Sequence, residues 1–200
     1  MLKKLINQNP LYVFAIERES GDLFRHENVL YTGLGKLNAA YRLTKEILIN
    51  RPSIIINLGS AGSSKFAQGS VVCCSAFVQR DMDTTALGVK KYVTPFSTNE
   101  VILNYGFSIT FLDRGVCGTG DDFVSDHDSP DYDVIDMEAF AVATIARQEN
   151  IPFLCLKYIA DGANDKAVKD WNLTVDATGR ALYDTMQDIK NRENEGILYF

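Results

Sequence analysis

With 200 residues, 46% of them hydrophobic, the chain is long enough to bury one sizeable core, and a single domain spanning residues 1–200 is expected. A formal charge of -6, with no basic run longer than the pairs Lys3-Lys4 and Lys90-Lys91, repels phosphate backbones and argues against nucleic acid as a partner. No apolar stretch approaches the roughly 20 residues that span a bilayer, so no membrane partner is expected.

Met1-Leu2-Lys3-Lys4 resembles the start of a signal peptide, but the apolar run from Leu11 to Ile16 is short and runs into Glu17, Arg18 and Glu19. It reads as a first strand. Val29 to Thr32 reads as a second. Gly35-Lys36 then opens a helix to Asn50, with Leu37, Ala40, Tyr41 and Leu48 near helical period, and Pro52 ends it. Ser53 to Leu58 is β-branched and continuously apolar at its centre, as for a strand covered on both faces, and it feeds an expected turn, Gly59-Ser60-Ala61-Gly62. Further strands are predicted at Ser70 to Val78, Ser108 to Leu112 and Pro152 to Ile159, with helices at Glu138 to Glu149 and from about Trp171 to Asn191. Alternation of this kind defines an α/β chain. Two long polar segments interrupt it, Arg80 to Glu100 and the aspartate-rich Gly118 to Asp133, and loops of that length tend to be functional even when most of their acids are simply solvated.

The four cysteines, Cys73, Cys74, Cys117 and Cys155, lack C-x-x-C spacing and sit in or beside apolar, strand-like runs, so reduced core thiols and a cytoplasmic location are expected. The only histidines are His26 and His127, neither beside a zinc-like pattern. No metal and no cofactor are expected.

Gly33-Leu34-Gly35-Lys36-Leu37-Asn38 is a poor dinucleotide fingerprint, because Asn38 occupies the third glycine's place and no ribose-binding acid follows at the right distance. Gly59 to Gly62 is better placed, since ligands of α/β sheets bind at the carboxyl ends of strands; a tight turn without a ligand would read the same way. Three acids stand out. Asp161 follows a strand and precedes Gly162, as a turn-forming Asp also would. Glu138, in Asp136-Met137-Glu138, enters an alanine-rich helix, where capping alone would account for it. Glu19 lies just after the first strand, where a surface role fits equally well. On one rim of a sheet, three such acids would divide the work of glycosyl-bond cleavage, one protonating a leaving group while others stabilise developing positive charge.

Tyr31 to Ala40, Ile56 to Gly62, Asp81 to Gly88, Ile135 to Ala139 and Tyr158 to Asp161 occur in the order seen in 5'-methylthioadenosine/S-adenosylhomocysteine nucleosidases. The chain resembles that branch of the purine nucleoside phosphorylase and nucleosidase superfamily from Leu11 to about Ile189. The resemblance implies a three-layer α/β/α fold around a mixed, partly barrel-like sheet, and a homodimer whose neighbouring subunit helps close the pocket for the 5' group. It implies hydrolysis of the N-glycosidic bond of a purine nucleoside, an adenosine modified at the 5' position.

The same resemblance assigns roles. Asp161 would donate a proton to purine N7, Glu138 would hold the ribose hydroxyls with Met137 packed on the sugar, and Glu19 would act as the base that positions water. Ser60, Ala61 and Gly62 would border that water. Phe123 would stack on the purine and the Val124 backbone would read its edge. Lys157 stands where the family has Arg, replacing a two-pronged contact near the water by a point charge. Ala160 replaces a Ser. Ile16 replaces a Met near the 5' group, and Leu87 and Val89 replace residues that are commonly aromatic; with Leu34, and with Trp171 as a wall, they would favour an apolar 5' substituent. The alternative reading of Trp171 is a core anchor at a helix start, with no part in the pocket. A phosphorylase of the same superfamily would present Gly and Arg for phosphate where this chain has Glu19. A non-catalytic nucleoside-binding protein on the same fold is the remaining alternative.

Overall fold

A computed structural model describes residues 1–97, 100–124, 129–192 and 197–199. The isoleucine run after Ser53 forms the start of β3 (Ile54–Gly62), the strand on which the sheet is built. Strand β3 pairs in parallel with β1 (Pro10–Phe14), which pairs in parallel with β2 (Val29–Tyr31). On its other edge β3 pairs in parallel with β9 (Phe153–Asp161), and β9 pairs antiparallel with β4 (Val71–Gln79). Strand β4 pairs in parallel with β7 (Asp113–Thr119), and β7 pairs in parallel with β8 (Val134–Asp136). Strand β8 returns to β3 through Gly62 and Ile135, closing five strands into a ring. The short β5 (Leu103–Asn104) flanks β4, while β6 (Phe107–Ile109) and β10 (Ile197–Tyr199) form a separate two-stranded ladder.

Helices cover both faces. On one lie α3 (Lys36–Ile49) and α4 (Ala139–Gln148), whose Leu43, Ile47, Val142 and Ala146 join Phe77 and Phe153 in one core cluster. On the other, α1 (Leu2–Ile6) and α5 (Ala167–Asn191) pack Leu2, Leu182, Met186 and Ile189 against Phe14, Phe24 and Leu156. A four-residue helix, α2 (Glu17–Ser20), follows β1. The three-layer fold with a partly barrel-like mixed sheet is therefore present as expected.

Four local expectations are corrected. Gly59 to Gly62 is not a turn: it continues β3, paired with Lys157 to Asp161, and its glycines serve clearance instead. A Cβ at Gly59 would lie 3.3 Å from the Glu19 carboxylate, and one at Gly62 would lie 2.6 Å from that of Asp161. Helix α3 buries Ala39, Leu43 and Ile47, whereas the stripe containing Leu37, Tyr41 and Leu48 faces outward, Leu37 being 82% exposed. The strand expected at Ser108 to Leu112 shrinks to β6, and β7 and β8, hidden in polar sequence, complete the ring. Helix α5 begins four residues before Trp171, so the indole sits on its second turn rather than at its start. His127 and parts of both long loops, 98–99 and 125–128, lie outside the described residues.

All four cysteines are buried and free, and burial pushes the Cys73 thiol up to about 12, which keeps it protonated and unreactive. Helix α5 presses on the turn that carries Glu19. A Cβ at Gly179 would meet the Ser20 carbonyl oxygen at 2.4 Å, so only glycine allows this approach.

Candidate active site

The carboxyl ends of β1, β3, β8 and β9 converge on a cavity of about 310 Å³, where a switch of strand order places ligands in α/β folds. Twelve of the fourteen sequence-predicted site residues line it: Ile16, Glu19, Leu34, Ser60, Ala61, Gly62, Phe123, Val124, Met137, Glu138, Asp161 and Trp171. The chain beyond β1 turns sharply into α2, which swings Glu19 back under β3. There Glu19 Oε1 accepts hydrogen bonds from the Ser60 amide (2.8 Å) and the Ser60 hydroxyl (2.6 Å), and Oε2 accepts one from the Ile16 amide at 3.4 Å.

Asp161 ends β9, and the Ala163 amide donates to its Oδ1 at 2.8 Å. Burial raises its pKa, and the Ala163 amide opposes this only in part, so the carboxyl holds its proton further up the pH scale than an exposed Asp. Glu138 stands at the N-cap position of α4 without bonding its amides, and its Oε1 accepts the Gly35 amide at 2.8 Å. Burial first, and then the negative charge of Asp136, push its pKa up to about 8, against the pull of Lys157 and the Gly35 amide.

The sign of that shift fixes a stability trend. A carboxyl whose folded pKa lies above its unfolded value stabilises the fold fully below the unfolded pKa, and the contribution is lost as pH rises through the folded pKa. The apparent Tm is expected to fall between about pH 5 and pH 8, and Glu138→Gln is expected to flatten that fall, its amide oxygen still accepting the Gly35 amide. Parallel Tm curves for the two proteins would show that Glu138 does not carry the shift.

Two residues lie elsewhere than expected. Lys157 does not reach the cavity: it is 1% exposed inside the closed sheet, with its ammonium 2.8 Å from Asp136 Oδ2. Its strand position alternates away from the water side, and a buried cation needs the carboxylate that Asp136 supplies. Leu87, in a short 3-10 turn (Thr85–Leu87), is 75% exposed and outside the cavity of its own chain, because the segment after Arg80 runs out along the surface.

Asp136, legible in sequence only as a capping acid, is the hub beneath the site. It accepts hydrogen bonds from the Thr119 hydroxyl (2.6 Å), the Ala139 amide (2.8 Å), the Glu138 amide (3.3 Å) and the Cys117 thiol (3.4 Å), besides pairing with Lys157. Burial opposes its charge, but the Lys157 ammonium and these donors prevail and hold its pKa below the usual carboxylate range. The Asp136 carboxylate in turn keeps Lys157 protonated despite complete burial.

The loop carrying Phe123 and Val124 is tied down on two sides. Arg80 donates to the Asp122 carboxylate (2.8 Å) and to the Asp122 carbonyl oxygen, and a Cβ at Gly120 would strike its guanidinium at 2.7 Å. Lys36 bridges Asp81 and Asp121, and the Lys36 amide donates to Asp121 at 2.8 Å. The motif that resembles a dinucleotide turn thus holds protein groups, Glu138 through Gly35 and the loop through Lys36. The only sequence signal for these clamps is the excess of aspartates in the two loops, which reads equally well as a set of solvated acids.

A closed mixed sheet with a carboxylate-rimmed cavity at its strand ends defines a small-molecule enzyme of the α/β class. The chain belongs to the Phosphorylase superfamily, whose family model matches residues 17–189. It is 30% identical over 190 residues to the 5'-methylthioadenosine/S-adenosylhomocysteine nucleosidase of Staphylococcus haemolyticus, covering 82% of this chain and 81% of that protein. Among solved structures, the Helicobacter pylori 5'-methylthioadenosine/S-adenosylhomocysteine nucleosidase with butyl-thio-DADMe-Immucillin-A superposes with a TM-score of 0.83 at 18% identity, over 91% of this chain and 97% of that one. The futalosine hydrolase of Helicobacter pylori superposes with a TM-score of 0.82 at 18% identity, with coverage of 91% and 97%.

Proposed function

We propose that the protein hydrolyses the N-glycosidic bond of an adenine nucleoside carrying an apolar 5' substituent, methylthioadenosine and S-adenosylhomocysteine being the leading substrates. Protonated Asp161 gives its proton to purine N7 as the bond from N9 to C1' breaks, so the base leaves neutral. Glu138 holds the ribose hydroxyls, with Met137 packed against the sugar, and in its ionised form offsets the positive charge that develops there. Water attacks C1' and passes a proton to Glu19. Phe123 stacks on the purine and the Val124 backbone reads its edge. Acid, base and water account for every proton, and no cofactor enters this scheme.

One observation carries hydrolysis over phosphorolysis. The described residues lining the cavity include no Lys, Arg or His, so a phosphate dianion entering beside Glu19 meets an acid and no cation to hold it. Adding phosphate is therefore expected to leave turnover of methylthioadenosine unchanged within about twofold, with free 5'-methylthioribose as the sugar product. Phosphate-dependent turnover, or a sugar 1-phosphate product, would establish a phosphorylase. The intact set of three buried acids favours an enzyme over a non-catalytic binding protein, and release of adenine from methylthioadenosine and S-adenosylhomocysteine decides that point.

Ile16, Leu34, Val168 and Trp171 give the cavity an apolar lining, which, as the seat of the 5' group, supports an alkylthio substituent over a phosphate. The active form is read as a homodimer. Outward-facing Leu37, Tyr41, Leu48 and Ile49 on α3 offer an apolar face for a second copy, and Leu87 and Phe96 stand exposed nearby in sequence to the segment that would reach a neighbour's pocket. That arrangement gives Leu87 its 5' role in trans. Four buried, reduced thiols support a cytoplasmic location.

A further inference from the structure

Trp171 does more than face the cavity. Its indole N–H donates to the Ser60 hydroxyl oxygen at 3.0 Å, and that hydroxyl donates onward to Glu19 Oε1 at 2.6 Å. An indole nitrogen is a donor only, whereas a hydroxyl has one proton to give, so the chain runs in one direction: Trp171 to Ser60 to Glu19. The Ser60 amide adds a second donor to the same oxygen at 2.8 Å. Glu19 Oε1 is thereby saturated, while among the described residues Oε2 receives only the long 3.4 Å contact from the Ile16 amide. The ring is itself held: the Arg18 guanidinium lies 5.6 Å from its centroid and is fixed by Asp176 at 2.6 Å and by the Asn172 carbonyl oxygen at 3.2 Å.

We propose that Trp171 is a positioning residue for the water-activating carboxylate, its indole N–H locking the Ser60 hydroxyl onto Glu19 Oε1 so that Oε2 is the oxygen that takes the proton from water. The proposal rests on the hydrolytic reading given above. It makes the wall of the 5' pocket and the water site share one side chain, so the fit of the 5' group acts on turnover as well as on binding.

Trp171→Phe keeps an aromatic wall and removes only the donor. It is expected to lower kcat for methylthioadenosine about tenfold, the worth of one well-aligned hydrogen bond, while KM stays within about threefold. Ser60→Ala is expected to lower kcat at least as much, and Trp171→Phe added to Ser60→Ala is expected to lower it no further, because the indole acts through Ser60. A readout independent of turnover comes from the single tryptophan, whose lone indole ¹⁵N–¹H resonance is expected to move in Ser60→Ala. Wild-type kcat in Trp171→Phe, additive losses in the double variant, or an indole resonance unmoved by Ser60→Ala each overturn the relay. Absence of hydrolysis by the wild-type enzyme overturns the functional reading, and with it the role at the water, whereas an unmoved resonance overturns the relay alone.

Discussion

Asp161→Asn is expected to leave the fold intact and to lower kcat for methylthioadenosine about a thousandfold, the middle of the range for removal of a general acid. The amide is nearly isosteric, and its oxygen still accepts the Ala163 amide, so the end of β9 keeps its geometry. What disappears is a transferable proton. Burial raises the pKa of Asp161 and so favours its acid form relative to an exposed Asp, whereas an amide in the same place hydrogen-bonds N7 without protonating it. Purine departure then proceeds as an anion, and the loss falls on kcat more than on KM. Single-turnover adenine release together with Tm measures both halves of this expectation. A kcat within tenfold of wild type at unchanged Tm would remove Asp161 from the acid role.

Lys157→Met is expected to destabilise the protein by about 3–5 kcal/mol, the cost of leaving a buried carboxylate without its counter-charge. For a chain of this size that corresponds to a Tm lowered by on the order of 10 °C. Asp136 would keep its Thr119, Ala139 and Glu138 donors, so the penalty is that of charge and not of lost hydrogen bonds alone. Removing the charge at the other end as well, in Lys157→Met with Asp136→Asn, is expected to recover more than half of the lost Tm. If the single variant melted within about 2 °C of wild type, the pair would not be load-sharing in the way its burial implies.

The acids of the site were legible because strand ends are legible. Leu11 to Ile16 and Pro152 to Ile159 have the length and branching of strands, and Glu19 and Asp161 follow them at once. Composition misled at Gly59 to Gly62, since a glycine cluster that leaves room for two carboxylates has the same letters as one that turns the chain. Lys157 was misplaced for a related reason. Its partner Asp136 is distant in sequence, and only the closing of β8 against β3 and β7 brings the two inside one ring. Helix α3 carries two apolar stripes of the same period, and periodicity cannot say which one meets the sheet. The clamps on the Phe123 loop were out of reach because Arg80 and Lys36 find Asp122, Asp81 and Asp121 through tertiary contacts alone.

The sole tryptophan of the chain borders the cavity within hydrogen-bonding distance of Ser60 and beneath a guanidinium. Tryptophan fluorescence, excited to the red of the tyrosine band, therefore comes from a single emitter at the site, with no background from indoles elsewhere. A nucleoside that displaces water from the ring changes the surroundings of that emitter alone. Rapid mixing of the Asp161→Asn protein with methylthioadenosine then reports association as an optical transient while chemistry is slowed. In the wild-type enzyme the same signal follows occupancy through a complete catalytic cycle without a label.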